Sequence, residues 1–151
     1  MKILVTGANG FVGSALVRYL SLSNSYVVVG MVRNGSKFLS DIPIERRYFD
    51  LSNNDSSVDD LNDIDVIIHV AARVHQMDDR SANPLAEFMD INCHGTLNLA
   101  TQAVKAGVKR FIFLSSIKVN GEKSHPDKPF RYDDPHNSED NYGKSKSEAE
   151  L

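Results

Sequence analysis

The stretch from Lys2 to Arg18, KILVTGANGFVGSALVR, constrains this chain more than any other. A short apolar run, Ile3-Leu4-Val5, passes at once into glycines at positions 7, 10 and 13. An apolar pattern at helical spacing then begins with Phe11, Val12, Ala15 and Leu16. The pattern predicts a strand, a tight turn and a helix start. Residues without a Cβ let the backbone bend sharply and come close to a ligand. The helix start offers unpaired N–H groups and the positive end of a dipole, which suits a pyrophosphate. The spacing is G-x-x-G-x-x-G rather than the G-x-G-x-x-G of many dinucleotide-binding turns.

The rest of the chain fits one domain around that turn. Its 151 residues match a single domain of about 100–150 residues, read here as one nucleotide-binding domain over 1–151. Strand-like runs follow at Tyr26–Val29 with Met31-Val32, at Ile44–Phe49, at Asp65–Ala72 and at Phe111–Leu114. Between the last two, a helical pattern runs from Pro84 to about Lys105, with Leu85, Phe88, Met89, Asn92, Thr96, Leu99, Ala100 and Ala103 on one face. Gly107 is its expected C-cap. Strand and helix alternate, which predicts a doubly wound parallel α/β sheet of about five strands in the order 3-2-1-4-5. The apolar fourth run predicts a strand buried on both faces.

Net charge is −3, so there is no basic footprint for nucleic acid. No apolar run approaches the ~20 residues of a membrane helix, and the glycines interrupt the first apolar run before a signal-peptide core could form. A cytoplasmic protein is expected. Cys93 is the only cysteine, and the five histidines show no metal spacing, so they are read as core or surface residues and no metal is expected.

In such sheets ligands lie beyond the carboxyl ends of the strands. After the second strand, the position that often carries a ribose-binding acid is Val32, and Arg33 follows. An arginine there can hold a 2′-phosphate, which tilts the cofactor from NAD toward NADP; its other reading is a solvated strand-end charge. Asp50 either caps a loop or bonds an adenine amine. Ala71 and Ala72 leave room for a ligand. Asn92, polar on an apolar helix face, reads as a structural tie to a neighbouring strand, because a buried Asn must be hydrogen-bonded. Lys118 to Asn141 is a long polar loop, and a loop of that length is functional or disordered. Tyr142 and Lys146 stand at i and i+4 and share a face if the last segment is helical. An ammonium beside a phenol lowers the phenol's pKa, and the phenolate can then exchange a proton with a sugar hydroxyl or ketone. Ser116, after the fifth strand, can bond the same oxygen.

With these residues in place, the chain resembles the extended short-chain dehydrogenase/reductase superfamily, and within it the NAD-dependent epimerase/dehydratase family. The marks are Thr6-Gly7-Ala8-Asn9-Gly10-Phe11-Val12-Gly13, Asp50-Leu51, His69-Val70-Ala71-Ala72, Asn92, Leu114-Ser115-Ser116 and Tyr142-Gly143-Lys144-Ser145-Lys146. The resemblance implies that the backbone from Gly7 through Asn9 and Gly10 to Val12 holds the pyrophosphate, with Gly13 completing the turn. It implies that Asp50 and Leu51 meet the adenine and that Ala71 and Ala72 line the cofactor. Tyr142 is then the general acid/base, Lys146 binds the nicotinamide ribose and lowers the tyrosine's pKa, and Ser116 polarises the sugar oxygen. The substrate class implied is a nucleotide sugar, a UDP-hexose handled at C4 by a 4-epimerase or by a 4-ketoreductase of surface-polysaccharide synthesis. A non-catalytic NAD(P)-binding module is the reading from a different class.

The departures also inform. Family dehydratases carry Asp-Glu where this chain has Ile117-Lys118, so 4,6-dehydration is not expected. Asn120 stands where an aromatic residue is common. Family members run to about twice this length and carry a C-terminal substrate domain, so the chain reads as an N-terminal portion that by itself turns over no sugar. Family homodimers form through the long helix and the helix beginning at Tyr142, which here is cut short.

Overall fold

The computed structural model describes residues 1–36, 42–53, 57–58, 60–74 and 82–151. Lys37, His75 to Met77 and parts of the polar stretches at 52–60 and 73–83 lie outside the described residues. Five strands form one parallel sheet: β1 (Lys2–Thr6), β2 (Val27–Val32), β3 (Glu45–Tyr48), β4 (Val66–His69) and β5 (Arg110–Phe113), in the order β3-β2-β1-β4-β5. This is the doubly wound sheet expected. β1 is central, with Ile3 facing Val28 on one side and Val66 on the other. β2 and β3 run one and two residues shorter than the runs that mark them, β4 runs four shorter, β5 is shifted by one residue, and β1 extends one residue beyond its run at each end.

Helices cover both faces. Helix α1 (Phe11–Ser21) follows β1. Its apolar pattern does not all face inward: Phe11 is 96% exposed and Val12 49%. The helix docks instead through Gly13 and Val17, with Leu16 and Leu20 packed on the cluster of Ile3, Val5, Val28 and Val32. The other face carries Leu4, Val29, Ile67, Leu99 and Ala103. The long helical segment expected from Pro84 is observed, in three parts: α2 (Pro84–Met89), a π-helical turn at Asp90–His94, and α3 (Gly95–Lys105). Leu85, in the first turn of α2, is exposed, while Asn92, Cys93, Gly95 and Thr96, in and just after the π turn, are buried. Gly107 closes α3 as expected: its N–H bonds the Val104 carbonyl, and the Val108 N–H bonds that of Ala103. This is the paired closure of a Schellman end.

After β5 a single 3₁₀ turn, Ile117–Val119, leads into the long loop, and the chain ends in α4 (Asn141–Glu150). Asp140 caps α4 by accepting the Gly143 N–H at 2.6 Å. Among the described residues no helix is long and apolar enough to cross a membrane.

Candidate active site

The Gly-rich turn is packed against its own backbone. Gly7 has φ +62°, and a Cβ there would lie 2.9 Å from the Ala71 Cα. A Cβ on Gly13 would lie 2.1 Å from the Gly7 carbonyl oxygen. Side chains are therefore excluded, and the turn presents bare main chain beside Ala71. Gly10 caps α1 with no side-chain hydrogen bond, so the first-turn N–H groups have no intrahelical partner and no cap. This backbone cradle fits a dinucleotide pyrophosphate.

Six more of the residues singled out in the sequence sit beyond a strand's carboxyl end on this same edge of the sheet, while Asn92, Tyr142 and Lys146 lie on helical segments. Arg33 follows β2. Asp50 and Leu51 follow β3, Ala71 and Ala72 follow β4, and Ser116 follows β5. Asp50 forms the loop cap that is one of its two readings: its Oδ1 accepts from the Ser52 N–H at 2.9 Å and the Ser52 hydroxyl at 2.7 Å. Those bonds, with the charge of Arg33, hold its carboxyl below the usual range. The Leu51 carbonyl abuts Gly95, where a Cβ would come within 2.4 Å of it, so α3 starts hard against this loop.

Ser116 stands at the end of β5, and Tyr142 and Lys146 lie on α4, which packs against the 3₁₀ turn that follows Ser116. The Ser116 hydroxyl is near enough to the Tyr142 phenol to favour its ionised form. Its own oxygen also accepts from the Lys118 N–H at 3.3 Å. The Lys146 side chain is 1% exposed, and its Nζ lies 3.9 Å from the centre of the Phe113 ring. Burial pulls its pKa down to about 8, against an upward pull from Glu150. Tyr142 departs from expectation. Burial pushes its hydroxyl above the usual value, the Ser116 hydroxyl works downward and the Asp140 carboxylate upward. The net direction is the reverse of the lowering expected from Lys146. The reason is that Lys146 sits over Phe113 and the phenol sits in a half-buried pocket edge-on to Phe88, 6.4 Å between ring centres.

Of the residues that hold this corner together, sequence reasoning gives a tying role only to Asn92. Arg73 stacks over Phe88 at 5.3 Å and pairs with Glu87 at 2.9 Å. Asn92, expected as a structural tie, clamps the main chain after β4. Its Oδ1 accepts the Arg73 N–H at 2.7 Å, and its Nδ2 donates to the Arg73 carbonyl and to the Ser145 hydroxyl, both at 2.9 Å. Ser145 in turn donates to the Tyr142 carbonyl at 2.8 Å. His69 is wholly enclosed. The signal available for it is its place inside an apolar strand, where a polar side chain needs internal partners.

The model of the NAD-dependent epimerase/dehydratase family matches residues 3–151. The chain belongs to that family. It is 46% identical over 152 residues to a UDP-glucose 4-epimerase of Vibrio cholerae, an alignment covering 99% of this chain and 45% of the relative. It is 31% identical to an N-acetyl-alpha-D-glucosaminyl-diphospho-ditrans,octacis-undecaprenol 4-epimerase of Escherichia coli O157:H7, covering 99% and 41%. Among solved structures, a UDP-galactose 4-epimerase matches with TM-score 0.78 and 28% identity over 99% of this chain and 49% of that one. MoeE5 in complex with UDP-glucose and NAD matches with TM-score 0.75 and 29% identity over 99% and 47%. The chain thus spans about half the length, or less, of these relatives.

Proposed function

We propose that the whole protein is a nucleotide-sugar 4-epimerase-type oxidoreductase, and that this chain supplies its cofactor-binding and proton-transferring half. The observation that carries the reading is the placement of Tyr142 and the enclosed Lys146 on α4, with Ser116 near the phenol, on the same sheet edge as the glycine cradle. The cradle from Gly7 through Asn9, Gly10, Phe11 and Val12 to Gly13 holds the pyrophosphate on backbone N–H groups. Asp50 and Leu51 flank the adenine, Ala71 and Ala72 line the path between, and Lys146 holds the nicotinamide ribose. When bound, NAD or NADP accepts and returns the hydride at C4 of the sugar.

Tyr142 moves the matching proton at the sugar oxygen. Ser116 holds that oxygen within reach and favours the phenolate by donating to it. With burial keeping Tyr142 protonated in this state, the phenol begins as an acid, suited to protonating a 4-keto oxygen. Removal of a hydroxyl proton needs a cation nearby, and an oxidised cofactor would supply that charge when bound. Lys118 is not a dehydration residue: its Nζ is committed to Glu122 at 2.6 Å and Asp140 at 2.9 Å. At β2 the cation Arg33, with no acid in the preceding position, favours the 2′-phosphate of NADP; competition binding of NAD and NADP separates the two.

The test is the whole protein incubated with UDP-hexoses and with their 4-keto forms, with and without NADPH. Turnover of the hexose without added cofactor supports the epimerase. Turnover of the keto form that requires NADPH supports the ketoreductase. Cofactor binding with neither reaction overturns both in favour of a non-catalytic module. The 151-residue chain alone binds cofactor weakly and turns over no sugar, and measured activity in it would overturn that.

A further inference from the structure

Thr6, the last residue of β1, directs its side chain across to β4. Its hydroxyl oxygen accepts two N–H groups, from Val70 at 3.1 Å and Ala71 at 3.0 Å. Both lone pairs are then occupied, and its one hydrogen is left for the third neighbour, His69 Nδ1 at 2.8 Å. Nδ1 therefore accepts and carries no proton. On the other side of the ring, Nε2 lies 2.9 Å from the Thr96 hydroxyl. Thr96 donates its own hydrogen to the Asn92 carbonyl at 2.7 Å, so its oxygen must accept from Nε2–H. The bonds run in one direction from Thr6 to the π turn, and they admit a single form of the imidazole. A second ring proton would point at a hydroxyl with no free lone pair.

We propose that His69 is a positioning residue. Held as the neutral tautomer with its proton on Nε2, it ties the turn after β1 to the π turn that aims Asn92, and Asn92 through Ser145 sets where Tyr142 stands. The ring is stacked 5.9 Å from Phe113 and tilted 5.7 Å from Phe111, so it is covered from β5 as well. The charged group felt at the ring is Lys146, from α4. Burial and that ammonium push the His69 pKa down to about 3, in the same sense as the hydrogen-bond geometry. A neutral His69 also leaves Lys146 charged without a second cation beside it.

The inference rests on the reading of Tyr142 as the proton-transferring group, but its test does not use turnover. Nitrogen-detected NMR of the 151-residue chain between pH 5 and 8 reads the imidazole directly. Expected is a histidine with Nδ1 bare and Nε2 protonated, unchanged across that range. A His69 that titrates near its ordinary value, or carries its proton on Nδ1, overturns the proposal. Thr96→Val removes the acceptor at nearly constant volume, and Thr96→Ser keeps it. In Thr96→Val the Tyr142 titration, followed by NMR of the ring, should move upward by about one pH unit as the lowering influence of Ser116 weakens; in Thr96→Ser it should return. An unmoved Tyr142 in a folded Thr96→Val chain overturns the link to α4, whatever the whole protein turns over. If Thr96→Val fails to fold, the tautomer of the unmodified chain still decides.

Discussion

An ammonium that is 1% exposed and rests on an aromatic ring is costly to the fold. Lys146 keeps some of its charge energy through the Phe113 face, since a cation over a ring is attracted by its quadrupole. Burial nevertheless pulls its pKa to about 8 from 10.5, a penalty of roughly 3 kcal/mol on the charged form. The sign comes from proton binding. Below pH 8 both folded and unfolded chains hold the proton and the whole cost is present. Between about 8 and 10.5 the unfolded chain binds more, so stability rises with pH, and above that the cost is gone. Lys146→Met should therefore stabilise the chain at pH 7 by up to about 3 kcal/mol and abolish turnover in the whole protein. Thermal melts across pH should show the gap between variant and parent closing as pH rises from 8 toward 10.5. A second residue-scale outcome concerns Tyr142. Asp140→Asn keeps an oxygen for the Gly143 N–H, and Asn is as good a cap as Asp, but it removes the carboxylate that raises the phenol. The Tyr142 titration should fall while helix content holds. Neither the buried lysine nor the raised tyrosine is legible in the sequence. The segment Asn141 to Glu150 has no apolar stripe, and it buries Ser145 and Ser147 through hydrogen bonds and Lys146 over the Phe113 ring.

At the scale of elements, the glycine turn and the helix ends are legible because each depends on one local steric fact. The strand before the turn, the missing Cβ atoms and the Gly107 closure leave single-residue marks. The π turn at Asp90–His94 leaves none: one extra residue per turn changes which face each later side chain takes, but its composition resembles that of any helix. Leu85 reads as core only because its spacing matches the face of Phe88, and Thr96 reads as merely one more residue on the apolar face. The glycine turn also lends itself to a direct test. In Gly13→Ala the new methyl would fall 2.1 Å from the Gly7 oxygen, far inside contact distance, so either the turn opens or α1 moves off the sheet. Expected is a loss of about 2 kcal/mol or more and of measurable NAD(P) binding. Ala15→Ser, on the exposed side of the same helix, should change neither. Denaturant melts and calorimetric titration of both variants check this, and near-normal cofactor affinity in Gly13→Ala would remove the cradle from the proposed role.

At the scale of the whole molecule the sheet divides its two edges between chemistry and cohesion. The carboxyl edge carries the glycine cradle, Ser116 and the approach to Tyr142. The opposite edge carries an ion network that the sequence does not disclose, since its members are spread from residue 2 to residue 109. Lys2 pairs with Glu45 at 2.6 Å and with Asp63, and Arg47 pairs with the same two carboxylates at 2.7 and 2.8 Å. Lys109 pairs with Asp65 at 2.6 Å, and Asp65 also accepts the Lys2 main-chain N–H at 2.8 Å. The network fastens β1, the edge strand β3 and the chain entering β4, and the hydrogen bonds from Lys2 are the largest cause of the lowered pKa of Glu45 and Asp63. Carboxyls lowered in the folded chain stabilise it above their unfolded values, and that stability is lost as pH falls through their folded ones. These carboxylates are over two-fifths exposed, so each pair contributes about 0.2–1 kcal/mol after screening. Lys2→Met should thus cost about 1 kcal/mol at pH 7 and low salt, less in high salt, and the gap to the parent should vanish as acid protonates Glu45 and Asp63. Cofactor affinity should not change, because nothing in this network reaches the carboxyl edge. Urea melts between about pH 2 and 7, with a cofactor titration at pH 7, measure both halves. A Lys2→Met chain of parental stability, or one with altered affinity, would show that the two edges are not divided in this way.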